Sequence, residues 1–193
     1  MIDSKIKLNY YIKEDSKNYF NQNKGFLRRI KNNLLSNPIS DQKYIWKYIK
    51  NLRYLEYHTN TKGIHHDLLK IFYLSQLKKI AYKTGFQIPP FTCNEGLTIW
   101  HWGTIIINPK TRIGRNCVLN PGIVIGHKNP SENAPIIGDD VFIGAGVKII
   151  GAIKIGNNVT IAPNAVVISD VPDNFVVGGV PAKKISSNNF QTK

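Results

Sequence analysis

The apolar residues in the second half of the chain recur at every sixth position. Counted from Ile107, the first position of each hexad is Ile, Leu or Val in ten of eleven repeats. The residues at this position are Ile107, Ile113, Leu119, Ile125, Ser131, Ile137, Ile143, Ile149, Ile155, Ile161 and Val167. A period of six fits neither an α-helix nor the two-residue alternation of a long strand. The repeat therefore predicts a parallel β-helix, in which short strands separated by tight turns each place one aliphatic side chain in a shared core.

The other positions of the hexad support the same fold. Glycine often follows the aliphatic residue, as at Gly114 and Gly138, and we expect it to adopt torsions that a Cβ atom would forbid. The fifth position holds small or β-branched residues, including Cys117. That placement favours a buried hydrophobic role for Cys117 over a nucleophilic one.

The first half of the chain has a helical pattern instead. Apolar residues at spacings of three and four predict helices over residues 41–58 and 66–84, with Ser40 as an N-cap and Gly85 as the stop. A further helix over residues 19–35 is expected, and the two prolines after Ile88 mark the entrance to the coil. The predicted domains are a basic helical region at residues 1–86, the β-helix at 87–185 and a tail at 186–193.

The charge is concentrated in the helical half. Residues 1–90 contain 17 Lys or Arg and 6 Asp or Glu, whereas residues 91–193 contain 9 and 6, and the whole chain has a net charge of +14. A basic surface suits anionic lipid or a polyanion, although a solvated helix face explains it equally well. No nucleic-acid-binding motif accompanies the charge, so we expect no nucleic acid partner. The start of the chain lacks the apolar core of a signal peptide, which predicts a cytoplasmic location, with the inner face of the membrane as one option.

Two segments identify a family. The run IGDDVFIGAGVKIIGAIKIGNNVTIAPNAVV and the later GGVPAKKI resemble the left-handed β-helix acyltransferases, and especially the serine O-acetyltransferase group with its bacterial polysaccharide relatives. The resemblance covers residues 88–185. It implies a mainly β fold with an N-terminal α-helical cap, acetyl-CoA as the donor, no metal, and a homotrimer that shares sites between subunits.

The resemblance also implies a catalytic base. Six residues before Ile107 stands His101, in the string IWHWGT, which aligns without a gap with the family motif around its catalytic histidine. By the count of hexads His101 takes a position that would otherwise hold an aliphatic residue. A histidine ordinarily titrates near pH 6.5, so it can take a proton from a hydroxyl and return it to a thiolate. His101 is the candidate general base.

Three groups of the serine-specific pattern are absent. Trp100 replaces the Asp before the histidine, Asn133 and Ala134 replace an Arg-His pair, and Phe86 and Gln87 stand where the family has the Asp that orients the imidazole. A zwitterionic acceptor would leave charges without partners in such a pocket. Trp100 and Trp102, which we expect on one face of a strand with His101 on the other, suit a sugar ring, although they would equally serve to pack the cap onto the coil.

The remaining candidates concern the donor and an extruded loop. Gly144 and Ala145 match a CoA-contact segment of the family, and Lys183 and Lys184 are placed to meet CoA phosphates. Residues 127–135 span two hexads with polar residues and prolines, which predicts a loop that reaches a neighbouring subunit. His127 in this loop is a candidate for acceptor binding.

These observations predict an acetyl-CoA-dependent O-acetyltransferase that acts on a sugar hydroxyl of a surface polysaccharide or its precursor. The alternative enzyme is a serine O-acetyltransferase. A metal-dependent hydratase needs three histidine ligands, whereas the repeat region offers His101 and His127. A catalytically silent trimeric scaffold is the third alternative.

Overall fold

The computed structural model describes residues 1–19, 41–129 and 133–187. Three helices come first, α1 Lys5–Ser16, α2 Gln42–Asn60 and α3 Ile64–Thr84. Fourteen strands follow within these residues. They are β1 Phe86–Gln87, β2 Thr98–Ile99, β3 Ile105–Ile107, β4 Arg112–Ile113, β5 Val118–Leu119, β6 Ile123–Gly126, β7 Ile136–Ile137, β8 Phe142–Ile143, β9 Lys148–Ile150, β10 Lys154–Ile155, β11 Thr160–Ile161, β12 Val166–Val167, β13 Phe175–Gly179 and β14 Ala182–Ser187.

The strands form three parallel sheets around one core. The first face has the order β1-β3-β6-β9-β12, the second β4-β7-β10, and the third β2-β5-β8-β11-β13, with β14 antiparallel at its end. On the first face the hexad aliphatics Ile107, Ile125, Ile149 and Val167 stack in register and are all buried. The sixfold repeat is therefore a three-sided coil in which the first-position aliphatics and most fifth-position residues face inward.

The strand pairing shows where the coil departs from a regular turn. Ile137 pairs with Ile155, 18 residues later, which is three hexads. Ile125 pairs with Ile149, 24 residues later, so one extra hexad is extruded between β6 and β7, as expected for the loop at residues 127–135. Ile99 pairs with Leu119, 20 residues later, so two extra residues lie between β2 and β5.

The glycines after the aliphatics are required for a reason other than the one expected. Gly114 and Gly138 do not have positive φ; instead, a Cβ on either would lie 2.5 to 2.8 Å from backbone atoms of the next turn. Left-handed torsions fall on other corner residues, such as Asn116 and Asp140, with φ of 55° and 58°. Close approach of successive turns, and not torsion, excludes a side chain at Gly114 and Gly138.

The helical cap packs on the first coil through α2. Tyr48 is buried against Phe86, with ring centroids 5.1 Å apart, and its hydroxyl donates to the carbonyl of Ile88 at 3.1 Å.

Helices α2 and α3 closely match the predicted ranges, whereas α1 was not predicted. Ser40 and almost all of the expected helix at residues 19–35 lie outside the described residues. Asp41 stands at the N-cap position of α2.

The apolar pattern of α3 does not indicate which side of the helix packs. Leu68, Leu69 and Phe72 are 65%, 38% and 53% exposed. The helix packs through the opposite side, where His66, Leu77, Ile80 and Thr84 are buried. Apolar residues on both sides of α3 hid the true orientation. Within the described residues no helix is long and apolar enough to cross a bilayer.

A buried ionic cluster joins α1 and α2 to the coil. The guanidinium of Arg53 is fully buried and contacts Asp15 at 2.8 Å, Glu56 at 3.0 Å and the carbonyl of Cys93 at 2.8 Å. Asp15 also accepts from the backbone amide of Leu97 at 2.9 Å. Because buried charges are tolerated only when they are paired, this cluster fixes the position of the cap.

Candidate functional site

His101 lies in the two-residue insertion between β2 and β3, and not in a core position of the repeat. Ile99 takes the aliphatic position, since it pairs with Leu119 and is fully buried. The side chain of His101 is 69% exposed. The expectation that His101 replaces a core aliphatic was therefore wrong, because counting backwards from Ile107 misses the insertion. The extra residues turn the imidazole outward at the edge where the third face meets the first.

A carboxylate from the cap holds this imidazole. Asp41 Oδ2 lies 3.2 Å from His101 Nδ1 and 3.0 Å from the backbone amide nitrogen of Trp102. A carboxylate only accepts hydrogen bonds, so Nδ1 carries the proton and Nε2 keeps a free lone pair. That tautomer suits a general base. The resemblance places the carboxylate that orients the imidazole at Phe86 or Gln87, where this chain has none. Asp41, at the start of α2, provides a carboxylate to the imidazole instead.

The two tryptophans do not share one face, because residues 100–102 are not in a strand. Trp100 packs edge-on against Phe142 of β8, with ring centroids 5.9 Å apart. Trp102 packs against Tyr44 in the first turn of α2 at 5.7 Å. The two side chains are 54% and 44% exposed. Trp102 therefore joins cap to coil, as the alternative interpretation had it, while both residues keep a large open surface beside His101.

The edge that carries His101 continues down the coil as a row of small residues. Backbone hydrogen bonds join successive turns along this edge. The amide of Gly122 donates to the carbonyl of Thr104, that of Gly146 to the carbonyl of Pro121, and that of Asn164 to the carbonyl of Ala145. A Cβ on Gly144 would lie 2.6 Å from the backbone nitrogen of Pro163. Gly144 and Ala145 thus lie on the same edge as His101, two turns further along, or roughly 10 Å at the usual strand spacing.

The two C-terminal lysines differ in their surroundings. Lys183 pairs with Gly178, and a Cβ on Gly178 would lie 2.9 Å from Cβ of Ala162, so Lys183 lies at the far end of the His101 edge. Lys184 places its ammonium 3.9 Å from the ring centroid of Phe175. Lys183 is therefore the better placed of the two to meet an anion on this edge.

His127 has the opposite tautomer to His101. Its Nδ1 lies 2.9 Å from Nδ2 of Asn108, whose Oδ1 accepts from the backbone amide of Lys110 at 2.9 Å. Because Oδ1 is the acceptor, Nδ2 must donate to His127, which leaves the proton on Nε2. His127 therefore presents a hydrogen-bond donor and not a base.

His127 and His101 lie at opposite edges of the first face. About five residues of extended chain, from Gly103 to Asn108, separate the two edges, or roughly 17 Å. The two histidines cannot meet one small acceptor within a single subunit. In the described ranges, no three His, Cys, Asp or Glu side chains gather as a metal site.

Sequence reasoning missed Asp41 and Asn108, which set the two tautomers, and Lys148. Lys148 is on the outer side of β9, between Val124 and Val166 of the neighbouring strands. Its ammonium donates to the carbonyls of Gly122 and Gly146, at the His101 edge. The same position of the hexad holds Arg112 and Lys154 elsewhere in the repeat, so Lys148 does not stand out in the sequence.

Comparison with known proteins gives a consistent result. The family model for the bacterial transferase hexapeptide (six repeats) matches residues 134–169. The serine acetyltransferase of Helicobacter pylori is 36% identical over 118 residues, which are 60% of this chain and 68% of that protein. The serine acetyltransferase of Synechococcus elongatus is 33% identical over 115 residues, 58% of this chain and 46% of that protein.

Solved structures show the same fold. Serine acetyltransferase from Neisseria gonorrhoeae, in complex with serine, matches with a TM-score of 0.66 and 26% identity, over 95% of this chain and 71% of that one. The Brucella abortus enzyme in complex with coenzyme A matches in fold, with a TM-score of 0.69 and 22% identity, over 97% and 71%. The predicted left-handed parallel β-helix with an N-terminal helical cap is confirmed.

Proposed function

Because this chain belongs to the serine acetyltransferase family of hexapeptide-repeat transferases, we propose that it transfers the acetyl group of acetyl-CoA to the hydroxyl of serine. Its chemistry is O-acetyl transfer and its donor is acetyl-CoA. The observation that carries the proposal is the Asp41–His101 pair at the head of the edge that includes Gly144 and Ala145. The earlier preference for a sugar acceptor is less well supported than this alternative.

The proposed reaction is one direct transfer. Nε2 of His101 takes the proton of the acceptor hydroxyl as the oxygen attacks the thioester carbonyl carbon. The carbon–sulfur bond then breaks, and the proton on Nε2 passes to the departing thiolate to give free CoA. Asp41 keeps Nδ1 protonated and so stabilises the imidazolium that forms in between. Main-chain amides of the edge are the proposed donors to the oxyanion.

Acetyl-CoA is proposed to lie along the edge from His101 to Lys183. Five strand spacings, from β2 to β14, separate these residues, or roughly 24 Å, which an extended pantetheine arm and the long side chain of Lys183 cover together. Gly144 and Ala145 present backbone without bulky side chains, so the arm can approach closely. Lys183, and less directly Lys184, supply positive charge for the phosphates.

The Asp41 carboxylate weakens the argument against serine. The family's Asp before the histidine is Trp100 here, but Asp41 brings a negative charge to the same imidazole and offers a partner for an ammonium. The carboxylate of serine needs a donor, which Nε2 of His127 provides. Since His127 lies at the far edge, we propose that it acts on the His101 site of a neighbouring copy in a homotrimer. We place this enzyme in the cytoplasm.

A sugar hydroxyl is the second candidate acceptor. Trp100 and Trp102 leave about half of their surfaces exposed beside His101, at 54% and 44%. Tryptophan faces pack well against sugar rings. The Arg-His pair of the serine pattern is replaced by Asn133 and Ala134. If the acceptor is a sugar, the expected substrates are precursors of capsule or lipopolysaccharide.

Release of CoA thiol in the presence of L-serine or of an oligosaccharide mixture decides between the two. We expect saturable release with serine well above the hydrolysis rate without acceptor. If only oligosaccharide stimulates release, the acceptor is a sugar, and Trp100→Ala should then raise the KM for sugar with little change in Tm. Trp102→Ala should lower Tm in either case, because it loses its contact with Tyr44. No stimulation by either acceptor would contradict both proposals.

A further inference from the structure

Helix α3 carries a second apolar side that is largely exposed in the described structure. Successive residues of a helix are rotated by about 100°, so residues 64, 68, 71, 72 and 82 fall on one side. We name this side the outer stripe. Its members are Ile64, Leu68, Ile71, Phe72 and Tyr82, which are 82%, 65%, 66%, 53% and 89% exposed. The buried residues of α3 lie on the opposite side.

Exposed apolar residues on this scale need an explanation. Single exposed hydrophobic residues are ordinary, but four aligned within residues 64–72, with Tyr82 further along the same side, form an apolar patch of the kind that marks a binding surface. Packing on α2 does not require them, because His66, Leu77, Ile80 and Thr84 already fill that contact. Within residues 1–19, 41–129 and 133–187 the stripe is therefore left open to an outside partner.

The charge around the stripe defines that partner. Lys78, Lys79 and Lys83 lie on the stripe or at its borders, and Lys70 lies elsewhere on α3, whose one acidic residue is Asp67. Two copies facing each other through the stripe would bring six lysines, three from each copy, against two aspartates. Like charges at that density oppose self-association and favour an anionic surface.

We propose that the outer stripe docks the protein on a bilayer that contains anionic lipid. An in-plane helix with an apolar side and flanking lysines buries the apolar residues at the level of the acyl chains, while the ammonium groups meet lipid phosphates. A purely polyanionic partner would use the lysines but leave the five apolar residues in water. The proposal does not depend on which acceptor the enzyme uses.

Two pairs of matched variants test it in the full-length chain. Leu68→Ser with Phe72→Ser removes apolar surface without changing charge, and Ile136→Ser with Ile185→Ser does the same on the coil, where those residues are 51% and 63% exposed. Lys78→Glu with Lys79→Glu reverses charge at the stripe, and Lys110→Glu with Lys154→Glu reverses it equally on the coil. Acetyl-CoA turnover of each variant serves as the check that it is folded.

The measurement is co-sedimentation with vesicles of phosphatidylcholine alone or with a quarter of phosphatidylglycerol. We expect the wild type to prefer the anionic vesicles, and each stripe variant to lose about tenfold in partitioning while the coil variants keep it. Absence of binding, or equal losses in stripe and coil variants, would overturn the proposal. So would a stripe variant that still binds vesicles but has a changed mass by light scattering, since the stripe would then join copies of the chain.

Discussion

Asp41 and His101 are 60 residues apart in sequence, yet Oδ2 of the first lies 3.2 Å from Nδ1 of the second. The same oxygen accepts the backbone amide of Trp102 at 3.0 Å, so the carboxylate is fixed to the loop that carries the imidazole. The start of α2 and the first coil thus build one site. Orientation of a catalytic imidazole by a carboxylate is a general way to select its reactive tautomer.

Asp41→Asn should reduce turnover while leaving the binding of the donor unchanged. The amide oxygen can still accept from both Nδ1 of His101 and the backbone amide of Trp102, but the variant loses the negative charge that stabilises the imidazolium formed during the transfer. We expect kcat to fall by about tenfold to a hundredfold, part of the full effect of a general base, with the KM for acetyl-CoA unchanged. Asp67→Asn on exposed α3 is the matched control. A parallel loss of Tm and donor affinity would instead assign Asp41 a structural role.

Asn108→Asp should abolish the contribution of His127 to acceptor binding, although the His127 side chain itself is unchanged. A carboxylate beside Nδ1 would draw the proton to that nitrogen and leave Nε2 without a donor. The KM for the acceptor should rise by about fivefold to fiftyfold, while kcat changes little, because a group that binds ground and transition states alike affects KM. His127→Phe should have the same effect. A loss of kcat with the acceptor KM unchanged would place His127 in the chemical step.

Lys183→Ala should weaken acetyl-CoA binding more than Lys184→Ala does. The ammonium of Lys184 lies over the ring of Phe175, whereas Lys183 lies beside Gly178 at the end of the edge. We expect the KM for acetyl-CoA to rise by about threefold to tenfold in the first variant, with kcat nearly intact. The comparison is made by initial rates at low salt. Equal KM values in both variants and the wild type would make the lysines ordinary surface residues.

The imidazoles of His58 and His66 predict a loss of stability in acid. Their Nδ1 atoms lie 2.7 Å apart, so one donates a hydrogen bond and the other accepts it. Burial, with His66 and His65 nearby, lowers the pKa of His58 from its ordinary value of 6.5. The unfolded chain therefore binds more protons just below pH 6.5, and the free energy of unfolding should fall as the pH decreases through that window.

Urea unfolding at about pH 7.5 and pH 5.5 measures this loss. His58→Phe keeps a flat ring against Tyr73, on which His58 stacks with centroids 5.4 Å apart, but removes the titrating group. Its unfolding free energy should depend less on pH than that of the wild type. A pH dependence of the same size in both proteins would assign the effect to other groups.

The sequence predicted most of the coil, because each turn repeats one local rule. Ile107, Ile125 and Ile149 lie whole numbers of hexads apart, so the repeat places all three in the core. The repeat does not tell how many extra residues leave the coil at each corner. At the corner of His101 two added residues shift the count, which no periodicity could reveal. The extra hexad after Ile125 was visible because it carries prolines and polar residues in place of the repeat.

The contacts between cap and coil were beyond prediction from the pattern. Asp41 meets His101 only because α2 is fixed on the first coil, and that placement depends on pairs such as Tyr48 with Phe86. Helix α3 was predicted, but its buried side was not, since a helix apolar on two sides does not indicate which side is buried. Helix α1 buries little besides Leu8 and Asp15, so it left almost no pattern in the sequence.

The steady-state rate of His101→Ala, measured by CoA thiol release with L-serine and acetyl-CoA, tests the central claim most directly. Loss of a general base should lower kcat by about two to four orders of magnitude, while the KM for acetyl-CoA stays within about twofold because the edge at Gly144 and Ala145 is unchanged. His65→Ala, an exposed histidine on α3, should keep the wild-type rate. A kcat for His101→Ala within about tenfold of the wild type would contradict the account and place the base elsewhere.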